Sequence, residues 1–229
     1  MTSESNSRVR LYLIRHAQSE ANLSKAVICG QNIPCVLTPL GIQQATLLGK
    51  RLKYQNLRFD YLICSSAIRA KQTAEIALQL INVDPNQLMI TEALLEQSQG
   101  SWEGLNRDEC YTNEVLQHVK NLHIEFSAPN GESIRMVQKR AITYLEPIIK
   151  QAKQRSIDEN REISIGIFTH AGTIRSILQF YLESNASITW LIGQHNTAIT
   201  ELLFNQHGTS LIKSNDYGHL TFLIPDLVD

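Results

Sequence analysis

The sequence has no long hydrophobic run and no excess of charge of either sign. No apolar stretch approaches the ~20 residues of a membrane-spanning helix, and the polar residues 1–8 lack the apolar core of a signal peptide. The 229 residues include 21 Lys and Arg against 22 Asp and Glu, which gives a net charge of −1. This balance provides no electrostatic basis for binding nucleic acid or an anionic membrane. These absences predict a cytoplasmic protein that has neither nucleic acid nor a membrane as a partner.

Metal-binding and nucleotide-binding motifs are also missing. The four cysteines are Cys29, Cys35, Cys64 and Cys110. They have no CxxC spacing and no histidine close by, so the sequence does not indicate a zinc site or a redox motif. A disulfide between Cys29 and Cys35 stays open, although a chain of this size does not need one. The Gly-rich fingerprint of dinucleotide-binding proteins is absent as well, and we therefore expect no metal and no cofactor.

Short hydrophobic segments alternate along the chain with amphipathic segments, and 43% of the residues are hydrophobic, enough for a packed core. Strands are predicted at residues 9–14, 59–64, 88–91, 163–169 and 197–204, with a last strand near residue 211 or at residues 220–224. Helices are predicted from Pro39 with Thr38 as N-cap, after Ser66 as N-cap, at residues 132–154 with a bend or break at Pro147, and at residues 173–182. The alternation predicts an α/β fold in which a mostly parallel central sheet is flanked by helices on both faces.

Two segments interrupt this alternation. Residues 100–130 are polar and irregular, and we expect them to form a small inserted lid or cap over one end of the sheet. Residues 150–161 are charged and are interpreted as a flexible link. The length suits one large domain. Residues 1–229 are therefore predicted to form a single α/β domain, with a lid insertion near residues 100–130.

Polar residues follow the predicted strands at the edge of the sheet where parallel sheets bind ligands. They are Arg15 and His16, Arg69, Glu92 and Glu96, and His170. Two arginines match phosphate oxygens, and backbone N–H groups at the helix start after His170 add positive potential. A neutral histidine can attack phosphorus, a second, charged histidine can donate to the oxygens, and a carboxylic acid can protonate the leaving group. This set predicts phosphoryl transfer that needs no metal.

Five short motifs follow one another from near residue 9 to past the fourth strand. They are residues 11–22 (LYLIRHAQSEAN), 65–74 (SSAIRAKQTA), 95–104 (LEQSQGSWEG), 129–133 (PNGES) and 169–172 (THAG). The ordered set resembles the motifs of the histidine phosphatase superfamily, also called the phosphoglycerate mutase-like family. The Trp-Glu-Gly segment at residues 102–104 resembles the phosphatase branch of that family more than the mutase branch.

The resemblance implies a role for each site residue. His16 would be the nucleophile and would form a phosphohistidine. The groups that would bind the phosphoryl oxygens are Arg15, Asn22, Arg69, His170 and the backbone at Ala171. Glu96 would be the proton donor, and Glu92 is the rival acid, whereas Glu103 is interpreted as a structural hydrogen-bond partner. The resemblance implies no metal. The five other histidines, His219 among them, are interpreted as surface or loop residues.

The sequence departs from the family pattern at two places. Ala17 stands where the family usually has glycine directly after the catalytic histidine. If that position needs positive φ, an alanine strains the backbone; if it does not, the alanine only narrows the pocket by one methyl group. In the loop at residues 30–38, Asn32 replaces an aspartate, and Cys35 and Val36 intervene before Leu-Thr. Because the resemblance makes this loop a substrate contact, the departure points to an unusual substrate.

Taken together, these patterns predict a metal-independent phosphomonoesterase that hydrolyses a small phosphorylated metabolite through a phosphohistidine. Two alternatives stay open. One is a phosphoglycerate mutase-type transfer, which would use the same residues but favours a longer lid than residues 100–129 provide. The other is a non-catalytic module that binds a phosphorylated ligand. The sequence leaves both a monomer and a homodimer possible.

Overall fold

The central sheet is the element that positions the functional groups. In this computed structural model, residues 7–23, 26–31 and 35–221 are described. The strands among them are β1 (Val9–Arg15), β2 (Tyr61–Ser65), β3 (Leu88–Thr91), β4 (Ile163–Thr169), β5 (Ile199–Asn205) and β6 (Gly208–Asp216). They form one sheet in the order β3-β2-β4-β1-β5-β6. The first four in this order are parallel to one another, and β5 pairs antiparallel with both of its neighbours, β1 and β6. The prediction of a mostly parallel α/β sheet is therefore confirmed.

The helices cover both faces of this sheet. In the described chain they are α1 (Glu20–Leu23), α2 (Pro39–Tyr54), α3 (Ile68–Gln79), α4 (Arg107–Cys110), α5 (Asn113–Leu122), α6 (Ile134–Asp158) and α7 (Ala171–Tyr181). Short 3₁₀ helices occur at Pro85–Gln87, Glu92–Leu94, Gly100–Trp102, His123–Glu125, Ala186–Leu191 and Gly218–Leu220. Alternate residues of β1 point to opposite faces. Leu11 and Leu13 pack in the cluster that contains α6 and α7, and Tyr12 and Ile14 pack in the cluster that contains α2 and α3.

Three details of the local predictions differ from the structure. Helix α3 is preceded by Ala67 rather than Ser66 as its N-cap, and no side chain of the described residues caps it. Helix α6 continues through Pro147 to Asp158. Pro147 lies on the exposed side of that helix, and the buried Ala152 and Ser156 continue its packed face. The flexible link predicted at residues 150–161 is therefore wrong, because the charges of this segment lie on the outer face of a helix that packs on the sheet.

The last strand and the inserted segment can now be compared with their predictions. Strand β6 includes Leu211, which supports the first of the two predicted positions, and residues 222–224 of the second lie outside the described residues. The segment at residues 100–126, here named the cap segment, is more helical than predicted, since it contains α4, α5 and two 3₁₀ turns. It is joined to the body through an isolated bridge between Val27 and Asn106. Over the described ranges, no helix is long and apolar enough to cross a membrane.

Candidate active site

Two histidines meet at the carboxyl ends of β1 and β4. These strands are parallel neighbours with Arg15 opposite Thr169, so the residue that follows each strand lies at the same edge. His16 continues the ladder by donating its backbone N–H to the Thr169 carbonyl at 2.9 Å. The ring centroids of His16 and His170 are 5.1 Å apart. The topology therefore brings together two residues that are separated by most of the chain.

The His16 imidazole is held in one tautomer. Its Nδ1 lies 2.7 Å from the Ala17 carbonyl oxygen, which can only accept, so Nδ1 carries the proton and Nε2 keeps its lone pair. Burial, and then the charges of Arg69 and Arg15, lower the pKa of His16 well below its usual value. An uncharged imidazole with an unprotonated Nε2 is the form that can act as a nucleophile.

We expect the His16 imidazole to stay neutral as the pH falls through about 6.5, where an unperturbed histidine takes up its proton, because burial and the neighbouring arginines lower its pKa. NMR titration of the ring Cε1–H signals would test this, with the His16 signal identified by its absence in His16→Ala. The unfolded chain binds the proton that the folded His16 excludes, so stability should decline as pH falls below about 6.5. A His16 midpoint at or above that value would contradict the expectation.

Ala17 neither strains the backbone nor narrows the cavity, the two effects that were considered for an alanine at this position. The described non-glycine residues with positive φ do not include Ala17, so the position does not require glycine. Its methyl group is fully buried and packs with Leu37 and Ala45, away from the cavity. The Ala17 N–H donates to the Thr73 hydroxyl at 2.9 Å, and this hydroxyl donates to the Arg69 carbonyl at 2.7 Å. The second motif thus fixes the loop that follows the histidine.

His170 is fully buried next to His16. Its Nε2 lies 2.8 Å from the Ser65 hydroxyl, which accepts from the Ala67 N–H and can donate its proton to the ring. Nδ1 is then the protonated nitrogen, and it has no hydrogen-bond partner among the described residues. Burial, and then Arg69, lower the pKa of His170 well below its usual value. These contacts and this lowered pKa favour a neutral ring that donates through Nδ1, rather than the charged ring expected from the sequence.

The two arginines supply the positive charge. Arg69 is 4% exposed and donates one N–H to the Gly30 carbonyl at 3.1 Å. Arg15 donates to the Gln194 carbonyl, and its Nε has no partner in the described part of the chain. Burial lowers the pKa of Arg15 to about 10. With that pKa Arg15 remains charged at neutral pH, and both guanidinium groups keep N–H donors for the oxygens of an anion.

These groups open onto a cavity of about 410 Å³. Its lining residues in the described chain are Arg15, His16, Ala21, Asn22, Val27, Cys29, Gly30, Arg69, Glu96 and Arg107. Five of the predicted site residues are thus brought together. His170 lies beside the His16 ring, and Ala171 is not among the described lining residues. The Gly172 N–H at the start of α7 donates to Glu96 Oε2 at 3.2 Å, so this helix start contacts the carboxylate.

The three carboxylates considered for the proton donor, Glu92, Glu96 and Glu103, differ in their position relative to the cavity. Glu96 lines the cavity, and its Oε1 accepts from the Gln97 N–H at 3.0 Å. Glu92 begins a 3₁₀ helix and is exposed outside the lining set. Glu103 accepts the backbone N–H groups of Gln31 and Gln99 at 3.1 and 2.9 Å, which fits the structural role expected for it. Only Glu96 of the three is placed to reach a bound ester.

The backbone of Glu96 is fixed by a charged network. Arg140 donates to the carbonyls of Leu95 and Glu96 at 2.8 and 2.9 Å, and it forms an ion pair with Glu132 at 2.8 Å. Gln31 Nε2 donates to the Glu96 carbonyl at 2.6 Å and to Glu132 at 2.9 Å. The fourth motif, which contains Glu132, therefore orients the acid-bearing loop.

Asn22 has both a structural and an open side. Its Oδ1 accepts from the Ser19 N–H at 3.0 Å and from Asn196 Nδ2 at 3.5 Å. Asn22 also lines the cavity. The oxygen is therefore occupied as an acceptor within the protein, and the amide Nδ2 is the group of this side chain that is left to donate to a ligand.

Arg107 is a site residue that the sequence did not reveal. It lies on α4 of the cap segment, and its N–H donates to the Ala26 carbonyl at 2.6 Å. Its guanidinium carbon is 5.5 Å from the centre of the Tyr111 ring. The only sequence signal was a basic residue shortly after the third motif, and nothing there indicated that this residue would line the same cavity as Arg15 and Arg69.

Residues near the end of the described chain contact the loop at Arg15 and His16, and we name them, together with Arg51 of α2, the C-terminal clasp (Arg51, Thr197, Asp216, His219). The Thr197 N–H donates to the Arg15 carbonyl at 3.1 Å, and the Thr197 hydroxyl lies 2.9 Å from His219 Nε2. Arg51 contacts His219 Nδ1 at 3.3 Å and pairs with Asp216. Burial lowers the pKa of His219 to about 4. His219 is therefore a buried partner, and its interpretation as a surface residue is wrong.

Two adjacent histidines, two arginines and one carboxylate lie together at the carboxyl edge of an α/β sheet, and a protein with this arrangement is suited to binding a phosphorylated ligand. Residues 11–217 match the model of the histidine phosphatase superfamily (branch 1). The chain belongs to this superfamily, which confirms the family that the motifs indicated.

Curated relatives carry two different names. "Putative phosphoserine phosphatase 2" of Hydrogenobacter thermophilus is 30% identical over 213 residues, which cover 92% of this chain and 97% of that protein. A 2,3-bisphosphoglycerate-dependent phosphoglycerate mutase of Parvibaculum lavamentivorans is 31% identical over 170 residues, which cover 73% and 77%. The chain is thus similar both to a protein named as a phosphatase and to a protein named as a mutase.

Solved structures share the fold over nearly the whole chain. A phosphoserine phosphatase mutant of Entamoeba histolytica in complex with phosphoserine has a TM-score of 0.72 and 27% identity, and the match covers 93% of this chain and 99% of that one. A mycobacterial glucosyl-3-phosphoglycerate phosphatase has a TM-score of 0.76 at 19% identity, with coverage of 91% and 99%. The second likeness concerns the fold alone.

Proposed function

We propose that this protein is a metal-independent phosphomonoesterase that acts on a small phosphorylated metabolite through a phosphohistidine. The observation that carries the proposal is the position of His16, whose Nδ1 contacts the Ala17 carbonyl so that Nε2 is left unprotonated, in a cavity that two arginines and one carboxylate also line. Nucleophile, cationic phosphate site and acid are the three parts that such a reaction needs.

The reaction divides into two transfers. In the first, His16 Nε2 attacks phosphorus, the ester P–O bond breaks, and protonated Glu96 gives its proton to the leaving oxygen. In the second, Glu96 as carboxylate takes a proton from a water molecule, the water oxygen bonds to phosphorus, and the P–N bond to His16 breaks. Inorganic phosphate and the alcohol are the products. Each step uses the same acid in its opposite form, as general acid–base catalysis requires.

The protein's contribution to the transferring group is electrostatic. The negative oxygens would be held by Arg15, Arg69, the Nδ1–H of His170 and the Asn22 amide. These donors are fixed before substrate binds, because Arg69 and His170 are buried and because Arg15, Arg69 and His170 are each held to a neighbour by a hydrogen bond. Fixed donors around developing charge are the main source of catalysis in phosphoryl transfer. The positive charge comes from side chains, so the proposal requires no metal.

The experiment that tests the proposal is a screen of phosphorylated metabolites, with release of inorganic phosphate as the readout and with EDTA present and absent. Phosphoserine and 3-phosphoglycerate belong in the panel because of the names of the relatives. Phosphate release that is unaffected by EDTA and inhibited by vanadate is expected. Conversion of 3-phosphoglycerate to its isomer without free phosphate would identify a mutase. Activity lost to EDTA and restored by Mg²⁺ would overturn the metal-free mechanism.

The cavity also favours a substrate with a second anionic group. Three guanidinium groups and one carboxylate line it, and a phosphoryl dianion matches Arg15 and Arg69. The third guanidinium, that of Arg107 in the cap segment, can then bind a carboxylate or a second phosphate on the leaving group. We expect Arg107→Ala to lower kcat/KM for phosphoserine by about 10- to 100-fold, the effect of one lost charged hydrogen bond. Ethyl phosphate, which has no second anion, should be affected much less.

A matched variant separates this role from a general effect of charge. Arg135→Ala removes an exposed arginine that pairs with Glu125 outside the cavity, and it should leave both substrates unchanged. Equal losses for phosphoserine and ethyl phosphate in Arg107→Ala would mean that Arg107 supports the cap segment rather than the substrate.

A further inference from the structure

Two cysteine side chains form a pair at the wall of the cavity. Cys29 lines the cavity, and Cys35 is 5% exposed behind it. Both are free thiols, and their side chains interact directly with each other. Cys64 is fully buried beneath the sheet edge, and Cys110 lies on α4. The pair is therefore distinct from the other two cysteines in having a partner thiol.

The donor set around this pair favours redox chemistry over metal binding. Within the ranges that the structure describes, His, Cys, Asp and Glu side chains form no group of three or more that could hold a metal ion. Two thiolates alone do not complete the four-coordinate shell of a structural zinc site. Two neighbouring thiols can instead be joined by removal of two electrons and two protons.

We propose that Cys29 and Cys35 form a reversible disulfide that lowers the activity of the adjacent site, with a low-molecular-weight disulfide as the oxidant. The Cys29 thiolate attacks one sulfur of the oxidant, expels one thiolate and forms a mixed disulfide. The Cys35 thiolate then attacks the Cys29 sulfur, forms the internal S–S bond and expels the second thiolate. The protein loses two electrons and two protons, which convert the oxidant to two thiols.

The order of the two attacks follows from burial. Cys29 is partly exposed and lines the cavity, so an external disulfide can reach it, whereas Cys35 is buried and therefore reacts second. Burial, and then the neighbouring Cys35, raise the pKa of the Cys29 thiol, while the charges of Arg69 and Arg107 act in the opposite direction. The first step is therefore slow at neutral pH and becomes faster as pH rises, because the thiolate is the attacking form.

The segment next to Cys29 transmits the change to the active site. The Gly30 carbonyl accepts from Arg69 at 3.1 Å, and the Gln31 side chain donates to the Glu96 carbonyl at 2.6 Å. Drawing Cys29 from contact to bonding distance with Cys35 displaces the residues that hold this arginine and this acid loop. The effect on rate rests on the proposed function, whereas formation of the bond does not.

The test incubates the reduced protein with glutathione disulfide at about pH 8.5, where a typical thiol is half ionised. Free thiols should fall from four to two, without a bound adduct, and peptide mapping should join Cys29 to Cys35. Activity towards nitrophenyl phosphate should fall by at least about 5-fold and return with dithiothreitol, as expected for a reversible disulfide.

Cys35→Ser, or Cys35→Ala if the serine variant does not fold, should instead retain one glutathione on Cys29. Cys110→Ser is the matched control and should respond as the wild type does.

Two results would overturn the proposal: four free thiols after oxidation, or a Cys29–Cys35 bond that leaves the site unchanged. If the reduced protein hydrolyses no phosphomonoester, the proposed function fails. The disulfide is then judged by the thiol count and by the affinity for inorganic phosphate, measured calorimetrically before and after oxidation. An unchanged affinity would count against it.

Discussion

His16→Ala should reduce phosphatase activity by about 10⁴- to 10⁶-fold, the scale of loss when a covalent nucleophile is removed. The variant removes the Nε2 that the Ala17 carbonyl holds unprotonated in the wild type. The two arginines remain and still bind phosphate, so loss of chemistry should exceed loss of binding. Steady-state hydrolysis of nitrophenyl phosphate, together with calorimetric phosphate binding, measures the two separately.

The same variant tests the intermediate. Wild-type protein quenched during turnover should carry a phosphate adduct that is labile in acid and stable in base, and His16→Ala should carry none. His207→Ala, which alters an exposed histidine at the turn between β5 and β6, is the control and should retain both adduct and activity. An adduct in His16→Ala would move the nucleophile elsewhere. Phosphate binding without turnover in the wild type would favour a non-catalytic binding module.

Glu96→Gln should slow alkyl phosphates by about 10²- to 10⁴-fold, the usual range for general acid catalysis. An alkoxide leaves poorly without a proton, whereas a nitrophenolate is stable near neutral pH and needs little help. The burst of phosphohistidine formation from nitrophenyl phosphate should therefore slow much less. Glutamine can still accept from the Gly172 N–H that the carboxylate binds, so the loop should keep its position. Single-turnover measurements are needed because Glu96 also acts in the second step.

Glu92→Gln provides the comparison for this prediction. Glu92 is an exposed carboxylate only four residues away, outside the described lining of the cavity. Its variant should show no dependence on the leaving group. If Glu92→Gln discriminates between alkyl and aryl substrates and Glu96→Gln does not, the proton donor is Glu92.

Much of the fold was predictable because buried parallel strands have a strong pattern. The apolar run at residues 163–169 could be placed without knowing its neighbours, since both faces of β4 are covered. The charged segment at residues 150–161 was misjudged because its charges outnumber Ala152 and Ser156, the residues that pack. The N-cap of α3 was predicted at Ser66 but lies at Ala67, whose N–H donates to the Ser65 hydroxyl that also contacts His170. Local preference gave way to tertiary contacts in both cases.

The site was predictable where it depends on strand ends. His16 and His170 follow adjacent parallel strands, so their meeting follows from topology alone. Arg107 and the contact between Cys29 and Cys35 depend on how loops cross the cavity, and no periodicity encodes that arrangement. His219 is a similar case, because its partner Thr197 is set by the antiparallel return of β5 and β6. Pairwise loop contacts of this kind require the assembled chain.

The C-terminal clasp has a consequence for when the protein becomes active during its synthesis. The loop at Arg15 and His16 leaves the ribosome early, but it is anchored by Thr197, which in turn contacts His219. Strand β1 also lies between β4 and β5, both of which are translated much later. Contacts of such large sequence separation form late in folding. A nascent chain therefore exposes His16 long before β4, β5 and His219 have been translated, and the arrangement around His16 is completed only when they have.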